Sequence, residues 1–261
     1  SDTPRLDIEI ILAHVLEVNR TYLYVWPNFC LSDIQQSKFN QLFADRLLGK
    51  PIAHITEVRE FWSLPLKVST ATIIPRPETE LLVEIALSLP LSDNISVLDL
   101  GTGSGAIALA LASEKKSWDI KAVDSEPNAL KLAEQNRKLF DFDNVKIQKS
   151  DWFSCFKESF FDLIVSNPPY IPKKEIETMN SNVVDFEPHS ALFVEDDAPL
   201  LFYHRIALLG KSILNKNGKI YFEIHENFGD QVVNLLSDFE YSNISLFKDL
   251  QGKNRIVKAS K

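Results

Sequence analysis

From Val97 onward the chain alternates short apolar runs with stretches of helical period, and this rhythm constrains its fold more than any other feature. Val97–Leu100, Lys121–Asp124 and Val145–Gln148 read as strands, with helices predicted over Ala106–Ser113 and Asn128–Leu139 between them. Parallel strands need a long crossover, usually a helix, so this order predicts βαβ units and an α/β fold. Phe161–Val165 reads as a buried central strand. A helix near Leu200–Leu214 closes at Asn217-Gly218 before a strand over Lys219–Ile224. A helix over about Phe228–Phe239 and two short strands, Ile244–Phe247 and Arg255–Lys258, complete the pattern.

The first third reads differently. Thr3-Pro4 has the character of an N-cap and first helical residue, and Ile8, Ile11, Leu12, Val15 and Leu16 recur at helical spacing. Ser32 and Gln35 form a capping-box pattern ahead of Ile34, Phe39, Leu42, Phe43 and Leu47, and Gly49 with Pro51 supplies the stop. Residues 1–52 are thus expected to form a small helical domain, 53–75 a connector with a β-hairpin, and 76–261 the main α/β domain. Pro75 to Glu80 opens a helix through Leu89, where Glu78 and Glu80 favour the helix N-terminus rather than acid-base work.

With 36 acidic against 28 basic residues, the net charge of -8 argues against a broad nucleic-acid surface, which needs Lys and Arg for phosphates. No apolar run approaches the roughly 18 residues of a membrane span, and the polar start Ser1 to Asp7 carries no signal-peptide pattern. Cys30 and Cys155 have no redox or metal-ligand spacing, so a reducing cytoplasm is expected. The five histidines are scattered, His225-Glu226 lacks the second His of a zinc motif, and no metal is expected. The lack of an initiator Met suggests a trimmed N-terminus.

Chemistry concentrates at two strand ends. Val97–Leu100 runs into Gly101-Thr102-Gly103-Ser104-Gly105 and then a helix, a context in which backbone approaches a ligand closely. Asp124 ends the next strand, where a carboxylate accepts ribose hydroxyls or else caps a helix. The spacing is G-x-G-x-G, with Ala106 following, whereas a pyrophosphate-binding fingerprint needs G-x-G-x-x-G. This favours S-adenosylmethionine, which has no pyrophosphate, over NAD. Asp151 with Trp152 and Phe153 stands after the third strand, as an adenine site or as core.

Asn167-Pro168-Pro169-Tyr170 ends the central strand at the same edge. Prolines have no N–H, so Pro168 offers a carbonyl acceptor beside the Asn167 side-chain oxygen. Two acceptors hold both hydrogens of a substrate NH2 and aim its nitrogen at a methyl donor, while Tyr170 offers an aromatic surface.

On these residues the chain resembles the protein-(glutamine-N5) methyltransferases of peptide-chain release factors, the HemK/PrmC type. The resemblance rests on Ile74 to Glu80, Asp99 to Gly105, Asp124, Asp151-Trp152, Asn167 to Ile171, Glu187-Pro188, Asp249 to Gly252 and Arg255. It implies a seven-stranded Rossmann-like class I methyltransferase domain behind a helical domain that engages the protein substrate. Gly101 to Gly105, Asp124 and Trp152 would hold S-adenosylmethionine, and Asn167 to Tyr170 the glutamine of a Gly-Gly-Gln motif, so modulating translation termination. After Ala191-Leu192 the family usually continues with glycines, where this chain reads Phe193 to Asp197. The same tetrapeptide chemistry serves ribosomal-protein glutamine and N6-adenine DNA or RNA methyltransferases, the last being disfavoured here by acidic composition. An inactive binding module would lack one of these residues, and all are present.

Overall fold

The computed structural model describes residues 3–89, 94–152, 156 and 160–261. Helices α1 (Pro4–Leu16), α2 (Arg20–Val25), α3 (Asp33–Leu47) and α4 (Ile52–Thr56) come first. Pro4 starts α1, but the Thr3 hydroxyl donates to Asp7 Oδ1 at 3.4 Å instead of capping the backbone. The α3 capping box is present, Gln35 N donating to Ser32 Oγ and Ser32 N to Gln35 Oε1. Two helices differ from the sequence reading. Asn19 caps the short α2 by accepting from Tyr22 N at 3.1 Å. Helix α4 occupies residues expected to be extended, because a helical turn lets Ile52 and Ile55 pack with Ile11, Val15, Phe39 and Leu42.

Strands β1 (Val58–Phe61) and β2 (Leu64–Lys67) form the expected hairpin. Its two turn residues, Trp62 and Ser63, have φ of +52° and +61°, a conformation that side chains resist. Tertiary bonds hold it: Trp62 N donates to Glu80 Oε1 at 2.8 Å and its indole Nε1 to Glu114 Oε1 at 2.9 Å. Glu80 therefore anchors the hairpin rather than serving only the start of its own helix.

The remainder runs through a 3-10 turn at Pro77–Thr79 into α5 (Glu80–Leu87), β3 (Ser96–Leu100), α6 (Ala106–Glu114), β4 (Asp119–Asp124), α7 (Pro127–Leu139), β5 (Val145–Lys149) and β6 (Phe161–Ser166). Then come β7 (Ile171–Pro172), α8 (Ser181–Val184), α9 (His189–Leu192), β8 (Phe193–Val194), α10 (Leu201–Ile213), β9 (Leu214–Glu223), α11 (Gly229–Asp238), β10 (Ser242–Lys248) and β11 (Asn254–Ser260). The main sheet has seven strands in the order β10-β11-β9-β6-β3-β4-β5. All its pairings are parallel except those of β11, which is antiparallel to both neighbours. Val97, Leu163 and Val165 face a core with α5 and α6, while Leu98, Leu100 and Ile164 face one with α10 and α11. Both faces are covered, which is why these strands are mostly apolar, with Asp99 and Asp162 as the charged exceptions.

Strand order reverses at β3, so the carboxyl ends of β3 and β6 lie side by side. Such a switch point opens a crevice between loops that leave in opposite directions. Among the described residues no helix is long and apolar enough to cross a membrane.

Candidate active site

The loop after β3 is folded by its own backbone. Gly101, Gly103 and Gly105 adopt φ of +72°, +56° and +87°. Gly101 N and Thr102 N both donate to Val123 O at 2.9 Å, and Gly103 N donates to Asp124 Oδ2 at 2.9 Å. Asp124 Oδ1 accepts from Glu126 N at 3.0 Å. Beneath the loop, fully buried Asp99 accepts from Thr102 Oγ1 at 2.6 Å and Ala108 N at 3.2 Å through Oδ2. Its Oδ1 meets no partner, and burial pushes this carboxyl up to about 7 against the pull of those two bonds.

A cavity of about 220 Å³ opens over this loop, lined by Gly101, Gly103, Asp124, Ser150, Trp152, Asn167, Pro169 and Phe202, among others. Three predicted cofactor residues shape the loop without lining the cavity. Thr102 is buried on Asp99, Ser104 offers its carbonyl to Asn136 Nδ2 at 2.9 Å, and Gly105 caps α6. A β-carbon on Gly105 would stand 3.1 Å from Leu109 Cδ1, so that glycine serves loop packing. Asp151 is exposed and outside the cavity lining. The Ser150 hydroxyl donates to Trp152 O at 2.6 Å across a tight bend with Trp152 at φ +53°, which turns Asp151 outward and Trp152 inward. Trp152 stacks on Phe202 at 4.9 Å. Phe153 and Cys155 lie outside the described residues.

Asn167 lines a second cavity too, of about 230 Å³, with Arg76, Pro168, Tyr170, Met179 and Leu192. It therefore stands where the two spaces meet. Asn167 Nδ2 donates to Thr79 Oγ1 at 3.4 Å. The Tyr170 hydroxyl donates to Glu223 Oε1 at 3.0 Å, and burial raises that hydroxyl well above its ordinary range. Burial likewise raises the Glu223 carboxyl, opposed by the bond from Tyr170. Arg76 Nη2 donates to both Glu187 oxygens at 2.6 and 2.8 Å, and Ile74 N to Oε2 at 3.3 Å. The segment 193–197 is fastened beside this site, β8 pairing with β7, Lys173 bonding Glu195, and Lys174 N donating to Asp196 Oδ1 at 2.9 Å.

Residues 1–56 match the PrmC N-terminal domain and residues 77–186 the Methyltransferase small domain. A release factor glutamine methyltransferase of Shewanella oneidensis is 46% identical over 98% of this chain and 88% of that protein. That of Aliivibrio fischeri is 41% identical over 98% of this chain and 90% of its own length. The chain belongs to the release factor glutamine methyltransferase family. A methyltransferase crystal structure from Pyrococcus furiosus shares the fold at a TM-score of 0.57 and 17% identity, over 85% of this chain and 98% of that one.

Within this family member, four site residues escaped the sequence reading. Glu223 carried a signal, a lone carboxylate ending the apolar run Ile220 to Phe222. Asn136 carried one too, since it sits among Ala129, Leu132 and Ala133 on the buried face of α7. It donates to Lys67 O and Ser104 O and accepts from Lys67 N, tying the hairpin to the glycine loop. Thr79 lies within the segment Ile74 to Glu80 that carried the resemblance but had no role assigned, and Phe202 gave no signal, because only the tertiary fold brings them to the site.

Proposed function

We propose that this chain transfers a methyl group from S-adenosylmethionine to the side-chain amide nitrogen of the glutamine in the Gly-Gly-Gln motif of peptide-chain release factors. The observation that carries the reading is the place of Asn167, shared by the two cavities. S-adenosylmethionine is the methyl donor of this family. It supplies a methyl group on a positively charged sulfur and leaves as S-adenosylhomocysteine.

The first cavity fits that donor. A β-carbon on Gly101 would meet nothing within 4 Å, so this glycine opens space over the loop. Each Asp124 oxygen accepts one backbone N–H and keeps a lone pair for a ribose hydroxyl. Trp152 and Phe202 give flat apolar surface for adenine.

The second cavity takes the glutamine. Because Asn167 spends its NH2 on Thr79, its Oδ1 is the end left for the substrate amide. Pro168 and Pro169 bring no competing N–H. The Pro168 carbonyl is the second acceptor, and two acceptors aimed at one nitrogen stabilise the positive charge that develops there. Tyr170, pinned through its hydroxyl, gives the planar amide a wall.

The helical segment 1–52 would engage the release factor, with 53–75 as connector and 76–261 carrying the chemistry. Net charge of -8 favours a protein over a nucleic-acid substrate, and translation factors place the reaction in the cytoplasm. The test is incubation with labelled S-adenosylmethionine and release factor, ribosomal protein or DNA, followed by mapping of the label. Label on the release-factor glutamine is expected; labelled DNA beside unlabelled release factor would overturn the assignment.

A further inference from the structure

We propose that His225 is a positioning residue for the acceptor: by holding Glu175 it fixes the segment that carries Met179, one wall of the substrate cavity. His225 stands two residues beyond the end of β9, and Glu175 lies in the 3-10 turn Lys173–Thr178 that follows β7. Neither side chain lines the cofactor cavity or the substrate cavity. Any effect of theirs on the reaction therefore runs through a residue that does.

Hydrogen-bond polarity fixes the ring. A backbone N–H only donates, so His225 Nδ1 accepts from Asn227 N at 3.2 Å and the ring proton sits on Nε2. Nε2 then donates to Glu175 Oε2 at 3.2 Å. Packing holds the same orientation, with the Phe228 ring 4.9 Å away between centroids and the Tyr170 ring edge-on at 6.0 Å. With its side chain only 11% exposed, His225 is a fixed post at the carboxyl edge of the sheet.

From Glu175 the constraint passes along a short, internally bonded turn. The Thr178 hydroxyl donates to the Glu175 carbonyl at 2.8 Å, and Met179 N donates to Ile176 O at 3.2 Å. Met179 thus follows Glu175. With Ile171, Val183 and Leu192 it gives the substrate cavity apolar surface beside Asn167 and Tyr170. Such surface suits the two CH2 groups of a glutamine whose amide must reach Asn167. The other ties of the segment, from Lys173 to Glu195 and from Lys174 N to Asp196, end on exposed side chains, where water competes. His225 joins the segment to the main sheet instead.

A wall held in place before binding needs no ordering when the acceptor arrives, so loosening it weakens acceptor binding and spares the chemical step. The inference rests on the reading that this cavity takes the release-factor glutamine, and two measurements separate them.

The first needs no substrate. Met179 is the single methionine of the sequence, and its isotope-labelled methyl signal is assigned by its loss in Met179→Leu. Relaxation dispersion should show microsecond-to-millisecond exchange of that methyl in His225→Phe and Glu175→Ala. It should be absent from the native chain and from Glu175→Gln, whose amide oxygen still accepts from Nε2. The second is initial-rate kinetics. His225→Phe keeps a ring against Tyr170 and loses only the bond; it and Glu175→Ala should raise KM for release factor about 10-fold, as expected for one hydrogen bond to a charged group. Their kcat and their affinity for S-adenosylmethionine should stay within about 3-fold of native, and Glu175→Gln should be native in all three. The double variant should be no worse than either single one, since both break one link. Native Met179 relaxation in Glu175→Ala, a fall in kcat without a rise in KM, or losses that multiply in the double variant would overturn the proposal. If His225→Phe does not fold, the Ala and Gln pair at position 175 still decides it. A native chain that leaves release factor unlabelled would overturn the substrate reading, while the Met179 signal still judges His225.

Discussion

Gly103 donates its backbone N–H to Asp124 Oδ2 at 2.9 Å, fastening the loop after β3 to the carboxylate that ends β4. The same side chain holds Glu126 N at 3.0 Å, so its orientation is fixed before any ligand arrives. A carboxylate held this way loses little freedom on binding, and its remaining lone pairs point where hydroxyls can be taken.

Asp124→Ala should accordingly weaken S-adenosylmethionine binding by about 10- to 100-fold, corresponding to roughly 1.5 to 3 kcal/mol for hydrogen bonds to a charged group. Calorimetric titration checks this, and native affinity would remove Asp124 from the cofactor site.

Two glycines of one loop should separate stability from binding. Gly105→Ala places a β-carbon 3.1 Å from Leu109 Cδ1 at φ +87°, and should lower stability by about 2 kcal/mol or more in thermal melts. Gly101→Ala meets no neighbour at φ +72° and should show only the left-handed backbone penalty of about 1 to 2 kcal/mol. Its larger effect should be on cofactor affinity. Equal losses of affinity in the two variants would contradict this division.

Asp99 predicts a pH dependence of stability. Burial raises its folded-state value to about 7 from the ordinary 3.8, so the proton is retained in the folded chain after the unfolded chain has lost it. Stability from this group is full below about pH 4 and falls by up to about 1.4 kcal/mol per pH unit as pH rises toward 7. Asp99→Asn cannot titrate, so its stability relative to the native chain should rise across that window in urea melts. Parallel pH curves would refute a retained proton.

Arg76 closes the cleft onto Glu187, whose side chain is 1% exposed. Arg76→Ala leaves that carboxylate with only the Ile74 N–H, and should destabilise the fold by about 1 to 3 kcal/mol. It should also raise KM for the protein substrate more than for S-adenosylmethionine, because Arg76 lines only the second cavity. Initial-rate kinetics with each substrate varied in turn distinguish the two, and an equal rise would place Arg76 elsewhere in the mechanism.

Sequence by itself determined the strands, the crossover helices, the glycine loop and the segment Asn167 to Tyr170, because each is written locally. Apolar runs covered on both faces announce parallel strands, and glycine spacing announces a turn that admits a ligand. The tertiary structure alone decided which of these side chains meet. Asn167 finds Thr79 across 88 residues, Tyr170 finds Glu223 across 53, and Arg76 finds Glu187 across 111. Asp151 and Trp152, neighbours in the chain, part at a bend, one to solvent and one to the cavity. Helix α4 and the Trp62-Ser63 turn follow the same rule, since packing partners and distant carboxylates override local preference. Periodicity fixes an element and its inward face; the partner of a buried polar atom depends on strand order and register between segments far apart in the chain.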